Sequence, residues 1–149
     1  MQLYDATAAP SVYDIVWCKW PYRERPDIPG PVARCVLILD VRLMIDAHDE
    51  TEWAAVTVAY GTGAEHVEAA DLTNNLLIPD TECRARGLHK ATVFKLDVRN
   101  RKRLPWAEDY FVTQGYVRSQ KLIAGSLNEQ QQATFHECFK QRGLAFPLP

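Results

Sequence analysis

Arg34 and Thr62 are the two residues of this chain whose types and setting suit one reaction. A guanidinium is planar, permanently charged and rich in donors. Beside a hydroxyl it makes a receptor for a phosphate that gains charge in a transition state. Its permanent charge also makes arginine a poor general base, and no histidine lies next to either residue. Other chemistries find little support. His48, His66, His89 and His136 have no ligand spacing among themselves, and the four cysteines (Cys18, Cys35, Cys83, Cys138) contain no C-x-x-C pair. That pattern argues against a metal centre or a disulfide framework. No G-x-S-x-G or P-loop pattern occurs, and Gly61-Thr62-Gly63 is too short to be a nucleotide loop.

Several elements must position that pair. Tyr13 to Trp20, rich in β-branched and aromatic residues, reads as a first strand ended by Pro21. Tyr22 to Pro31 is a loop carrying Arg23 and Arg25, and Arg34 stands where that loop becomes a second strand running to Val41 and on toward Met44. The apolar run Cys35 to Leu39 is expected to be buried on both faces, as in a central strand. After an acidic turn, Asp46 to Glu52, a third strand covers Trp53 to Tyr60 and is closed by Gly61-Thr62-Gly63. If these two strands form an antiparallel hairpin, Arg34 and Thr62 become neighbours at one end of it.

Around this hairpin the pattern is of short elements. Residues 1–12 have no period and read as a loose arm, and Ala64 to Thr73 fits either an irregular segment or a short helical turn. Leu76 to Ile78 is a short strand stopped by Pro79, and Arg86-Gly87-Leu88 is a turn. Ala91 to Val98 alternates, with Thr92, Phe94, Leu96 and Val98 on one face and Lys95 and Asp97 on the other. Leu104-Pro105-Trp106 is expected to break regular structure. Tyr110 to Val112 reads as a brief strand, and Lys121 to Gly125 as a connector or short pairing segment. The end is a helix, with Ser126 and Glu129 at capping-box spacing, Phe135, Cys138 and Phe139 on one face, and Gly143 as the stop. Short strands bounded by Pro and Gly, with one terminal helix, predict a single mainly β domain: a small twisted barrel of α+β type.

Composition sets the class. With 149 residues, 47% hydrophobic and 24% charged, the chain suits one soluble globular domain. A net charge of −2 gives no overall positive field, and the absence of a leader or long apolar stretch predicts a reduced, cytoplasmic protein. Charge is nevertheless segregated. Asp40 to Asp71 holds eight acidic residues against Arg42, whereas Arg84 to Arg103 holds eight basic residues, including Arg99 and Arg101, against Asp97. The basic segment fits a phosphate track, with Trp106 and Tyr110 stacking on unpaired bases. It equally fits a solvated hairpin balanced by the acidic segment.

Asp14-Ile15-Val16-Trp17, Gly30-Pro31-x-x-Arg34-x-x-Leu37-x-Leu39 and Val58-Ala59-Tyr60-Gly61-Thr62 together resemble the MazF/PemK family of toxins from type II toxin–antitoxin systems. Gly87-Leu88, Leu104-Pro105-Trp106 and Gly125-x-Leu127 fit a PemK-like branch, and the resemblance runs in order from Tyr13 to Gly143. It implies an SH3-like β-barrel with a C-terminal helix, a homodimer, and an antitoxin protein as partner. It also implies a metal-independent, cofactor-free endoribonuclease acting on single-stranded RNA, in which 2′-hydroxyl attack leaves a cyclic phosphate and a 5′-hydroxyl. The resemblance makes Arg34 and Thr62 catalytic; Tyr22, Arg23 and Arg25 in the loop, Gly61, and the basic residues Arg99 and Arg101 are the candidate substrate contacts. Where the family commonly carries proline, this chain has Ala33 and Cys35 around the arginine, which loosens the backbone that aims it. The competing expectation is a non-catalytic binder on the same barrel, either like the gyrase-poisoning members of the fold group or a plain SH3-like interaction module.

Overall fold

A computed structural model describes residues 1–113 and 121–149. Eight strands form one antiparallel sheet: β1 (Asp14–Lys19), β2 (Ala33–Ile45), β3 (Glu52–Gly63), β4 (Leu76–Ile78), β5 (Thr92–Phe94), β6 (Arg101–Pro105), β7 (Phe111–Val112) and β8 (Ile123–Ser126). The order runs β4-β5-β3-β2-β1-β7, with β6 added to β3 and β8 added to β1. Two helices accompany it, α1 (Asp80–Cys83) and α2 (Glu129–Gln141). The architecture is thus mainly β with a C-terminal helix. The expected barrel is corrected in one respect: among the described residues no pairing joins β4 or β6 to β7 or β8, so the sheet is not closed. β1 and β3 change partners along their length: β1 pairs with β8 and then β7, and β3 with β6 and then β5.

The β2–β3 hairpin is the spine. An extra residue at Leu39 shifts the register between Ile38 and Asp40, a bulge that bends the strand. Alternate residues of β1, β2 and β3 feed two cores. Ile15, Leu37, Leu39 and Ala59 face the layer closed by Phe135, Cys138 and Phe139 of α2; Val16, Val36, Ile38 and Val58 face Trp106, Tyr110 and Phe111. This is why Cys35 to Leu39 is an unbroken apolar run: both faces are dry.

Several expectations are corrected. β3 does not stop at Tyr60; Gly61, Thr62 and Gly63 stay in the strand and pair with Phe94, Val93 and Thr92 of β5. The alternating strand over Ala91 to Val98 shrinks to Thr92–Phe94, because Asp97 accepts from the backbone and side chain of Asn100 and starts a turn that leaves Val98 72% exposed. Leu104-Pro105 closes β6 rather than breaking structure, since among the described residues β6 pairs only with β3 and a proline at the end of such a strand sacrifices no ladder bond. The helix is capped by Asn128 with Gln131, not by Ser126 with Glu129; Ser126 is held in β8 opposite Asp14 and is unavailable. The N-terminal arm is held at Leu3 and Tyr4. Tyr4 donates from its backbone to Trp106 and from its hydroxyl to the Phe111 carbonyl at 2.7 Å, while Leu3 bridges Ala107. Residues 64–66 and 69–72 are short 3₁₀ turns. No helix among the described residues is long and apolar enough to cross a membrane.

Candidate functional site

The cleft opens where the two spine strands part. Pairing of β2 with β3 runs to Val36 opposite Tyr60 and stops. Beyond that point Arg34 pairs with Cys18 of β1, whereas Thr62 pairs with Val93 of β5. Between the diverging ends lies a cleft of about 220 Å³ that Arg34, Thr62, Cys35 and Gly61 all line. The ladder to β1, rather than a proline, fixes the backbone on which Arg34 stands.

Gly61 keeps the diverging strands close. A β-carbon there would lie 2.5 Å from the Cys35 carbonyl oxygen and 2.8 Å from its Sγ, so only glycine fits. Cys35 itself is buried, and that burial pushes its thiol up to about 11, against weaker opposing effects of the Thr92 hydrogen bond and the Arg34 and Lys90 charges. The thiol therefore stays protonated near neutral pH and is neither nucleophile nor base.

The remaining walls come from the turn just after β3 and from a segment distant in sequence. His66 stands on the 3₁₀ turn that follows β3, and Leu88, His89 and Lys90 lie between the Gly87 turn and β5. Gly87 ends the preceding 3₁₀ turn in the left-handed region (φ 76°), with the Ala124 backbone packed where a side chain would stand. The His89 ring stacks on Trp17, centroids 6.1 Å apart and planes 26° apart, and Trp17 is a buried wall of the cleft. Glu65 accepts a hydrogen bond from Lys90 at 2.5 Å and lies 3.4 Å from His66 Nε2. The Lys90 hydrogen bond holds the Glu65 carboxyl below the usual carboxylate range. That contact also ties the acidic segment to the basic one.

A strip of aromatic and cationic groups leads out of the cleft. The Arg34 guanidinium sits 5.5 Å from the Tyr60 ring centroid; Tyr60 meets Trp20 edge-on at 5.2 Å; Lys102 Nζ is 6.0 Å from the Trp20 ring. Both rings are half-buried, leaving part of each surface to solvent. These are the residues that sequence reasoning missed. Trp106 and Tyr110, expected to stack on bases, are 0% and 5% exposed and belong to the core. The signal for Tyr60 and Trp20 was available only as two aromatic residues at strand ends, each beside residues of another strand.

The other candidate contacts divide. Gly61 lines the cleft; Tyr22 and Arg25 line a separate hollow of about 380 Å³ formed by the loop and Gly30, and Arg23 is exposed on the same loop. Arg99 borders a polar hollow with Asp71, Asp97 and Arg142, and Arg101 is half-buried in β6 opposite Ala59. Neither reaches the cleft. Among the described residues, no group of three or more His, Cys, Asp or Glu side chains is placed to hold a metal ion. Comparison of the chain with protein-family models, with curated proteins and with solved structures gives no match.

Proposed function

We propose that the chain is the toxin of a type II toxin–antitoxin pair, an endoribonuclease that cleaves single-stranded RNA in the Arg34–Thr62 cleft without a metal or other cofactor. The reading rests on its resemblance to MazF/PemK proteins and on one observation: Arg34 and Thr62, distant in the chain, line the same cleft. In this reaction the 2′-oxygen bonds to the adjacent phosphorus as the bond from phosphorus to the 5′-oxygen breaks, leaving a cyclic phosphate and a 5′-hydroxyl. The Arg34 guanidinium meets the extra negative charge on the pentacoordinate phosphorus, and the Thr62 hydroxyl donates to a phosphate oxygen. The Tyr60–Trp20 strip supports an unpaired strand as substrate, since partly exposed rings offer surface for bases while Arg34 and Lys102 meet phosphates. The bent, open sheet is read as a variant of the SH3-like barrel, acting as a cytoplasmic homodimer with an antitoxin that covers the cleft.

The test is digestion of a mixed RNA by purified protein in EDTA, with end-group analysis. Cyclic phosphate termini that disappear in Arg34→Ala, a loss of about 10²–10³-fold, support the reading. Intact RNA at protein levels that still arrest growth overturns it in favour of a non-catalytic poison. Intact RNA without growth arrest leaves an interaction module.

A further inference from the structure

The phosphate receptor just described lacks groups to move protons. Arginine is never deprotonated in proteins, a threonine hydroxyl is a weak acid, and the Cys35 thiol is held protonated by burial. Cleavage by 2′-hydroxyl attack needs one proton removed from the 2′-oxygen and one delivered to the departing 5′-oxygen. Two imidazoles line the cleft that holds Arg34 and Thr62: His66 from the turn after β3 and His89 from the segment before β5. Imidazole is the side chain best suited to both transfers near neutral pH.

We propose that His66 and His89 are the proton-transfer pair of this site, one taking the 2′-hydroxyl proton as the new bond to phosphorus forms, the other protonating the 5′-oxygen as its bond breaks. The assignment rests on the ribonuclease reading above. It balances without a co-reactant: the base ends protonated, the acid ends neutral, and water exchange resets both. Each ring has a fixed neighbour, His89 lying on the Trp17 indole and His66 beside the Glu65 carboxylate. Among the described residues, the charged and titratable groups of the cleft and its turn include Arg34 and Cys35 from β2, Glu65 from the turn, and Lys90, which bonds Glu65. Neither histidine falls in the sequence motifs that carry the family resemblance; His66 follows closely on Thr62 in the chain, and folding brings His89 to the same cleft.

The experiment measures pH–rate profiles in EDTA for the full chain and for His66→Gln, His89→Gln and His89→Phe, the last of which keeps a ring on Trp17. Each variant is expected to lose about 10²-fold or more, and each is expected to lose one limb of a bell-shaped profile. Once the cleaved bond is mapped, an RNA with sulfur in place of the leaving 5′-oxygen should restore the variant lacking the acid and not the other, because a thiolate departs without a proton. His48→Gln, in the hairpin loop at the far end of the spine, should cleave as the unaltered chain does. If the unaltered protein cleaves and Arg34→Ala does not, yet either histidine position can be changed with less than about a threefold loss, the pair is wrong and the ribonuclease reading stands. The pair is also wrong if both variants lose rate while keeping both limbs and gaining nothing from sulfur. If the unaltered protein leaves RNA intact, the underlying reading fails and takes the pair with it.

Discussion

The two ends of the β2–β3 hairpin carry the two hollows that bear most directly on function, and the larger is the less equipped. At the turn end, a hollow of about 490 Å³ is lined by Met1, Leu3, Trp53, Leu104 and Pro105, with Asp46, Asp49 and Arg103 at its edge. At the open end, a cleft of about 220 Å³ is lined by Arg34, Thr62, His66 and His89 together with Trp17 and Cys35. At the turn end the hairpin ladder is continuous to Ile45 opposite Glu52, and what the N-terminal arm and β6 bring to its hollow is mostly apolar. The open end is where β2 stays paired with β1 while β3 leaves it for β5, so segments from across the chain meet there. Convergence of polar groups, not volume, marks the better candidate.

The contrast can be broken most severely through its cations. Arg34→Ala should cost about 10²–10³-fold in RNA cleavage, whereas Arg103→Ala, the cation of the turn-end hollow, should change the rate by no more than about twofold. Equal losses in the two variants would move the active end. Gly61→Ala comes next. Its methyl group has backbone on one side and Cys35 Sγ and the Phe94 ring on the other, and overpacking there should cost about 1–3 kcal/mol in thermal or denaturant unfolding. An unchanged unfolding midpoint would mean that the strands are not held together at that point.

Trp20→Ala should weaken RNA binding by about 1–3 kcal/mol, the worth of one stacked base, read as a higher KM with kcat kept. Trp53→Ala at the turn end should leave KM alone. The thiols sharpen the contrast further: Cys18 and Cys35 are pushed up by burial to about 12 and about 11, so alkylation of the folded protein at mildly alkaline pH should be slow at both positions and become fast on unfolding.

The smallest effect concerns the Lys90–Glu65 pair on the cleft wall. The folded-state carboxyl is held below its unfolded value, so the pair stabilises the protein above the ordinary carboxylate range. That stability is lost as pH falls through the depressed folded value. Lys90→Ala should therefore lower the melting temperature slightly at neutral pH and not at all in strong acid. Both side chains are largely exposed, which keeps the effect small and sensitive to salt.

Much of the fold was legible in particular residues. The apolar run Cys35 to Leu39 marked a strand dry on both faces, and Phe135, Cys138 and Phe139 marked the helical face that covers one core. Both follow from hydrophobic periodicity, which is local. The end of β3, the short β5 and the strand β6 were not legible, because each is decided by its partner. Gly61 to Gly63 stays extended because β5 lies alongside, and Arg101 to Pro105 is a strand because β3 offers Ala55 to Ala59. The same limit applies to the aromatic residues. Trp106 and Trp20 look alike in sequence, yet Tyr4 and Phe111 bury one while Tyr60 and Lys102 frame the other at the surface.

By itself the sequence determined the strand-rich class, the helix that ends it, and the order of motifs that puts Arg34 at the start of one strand and Thr62 near the end of the next. Those are properties of neighbours along the chain, set by side-chain period, by proline and by glycine. Only the tertiary structure decided that the described strands do not close into a barrel, that β2 and β3 part at Val36 and Tyr60, and that His66 and His89 line the same cleft. Long-range pairing fixes where a strand changes partners, and no local pattern encodes the far segment that fills the space it leaves.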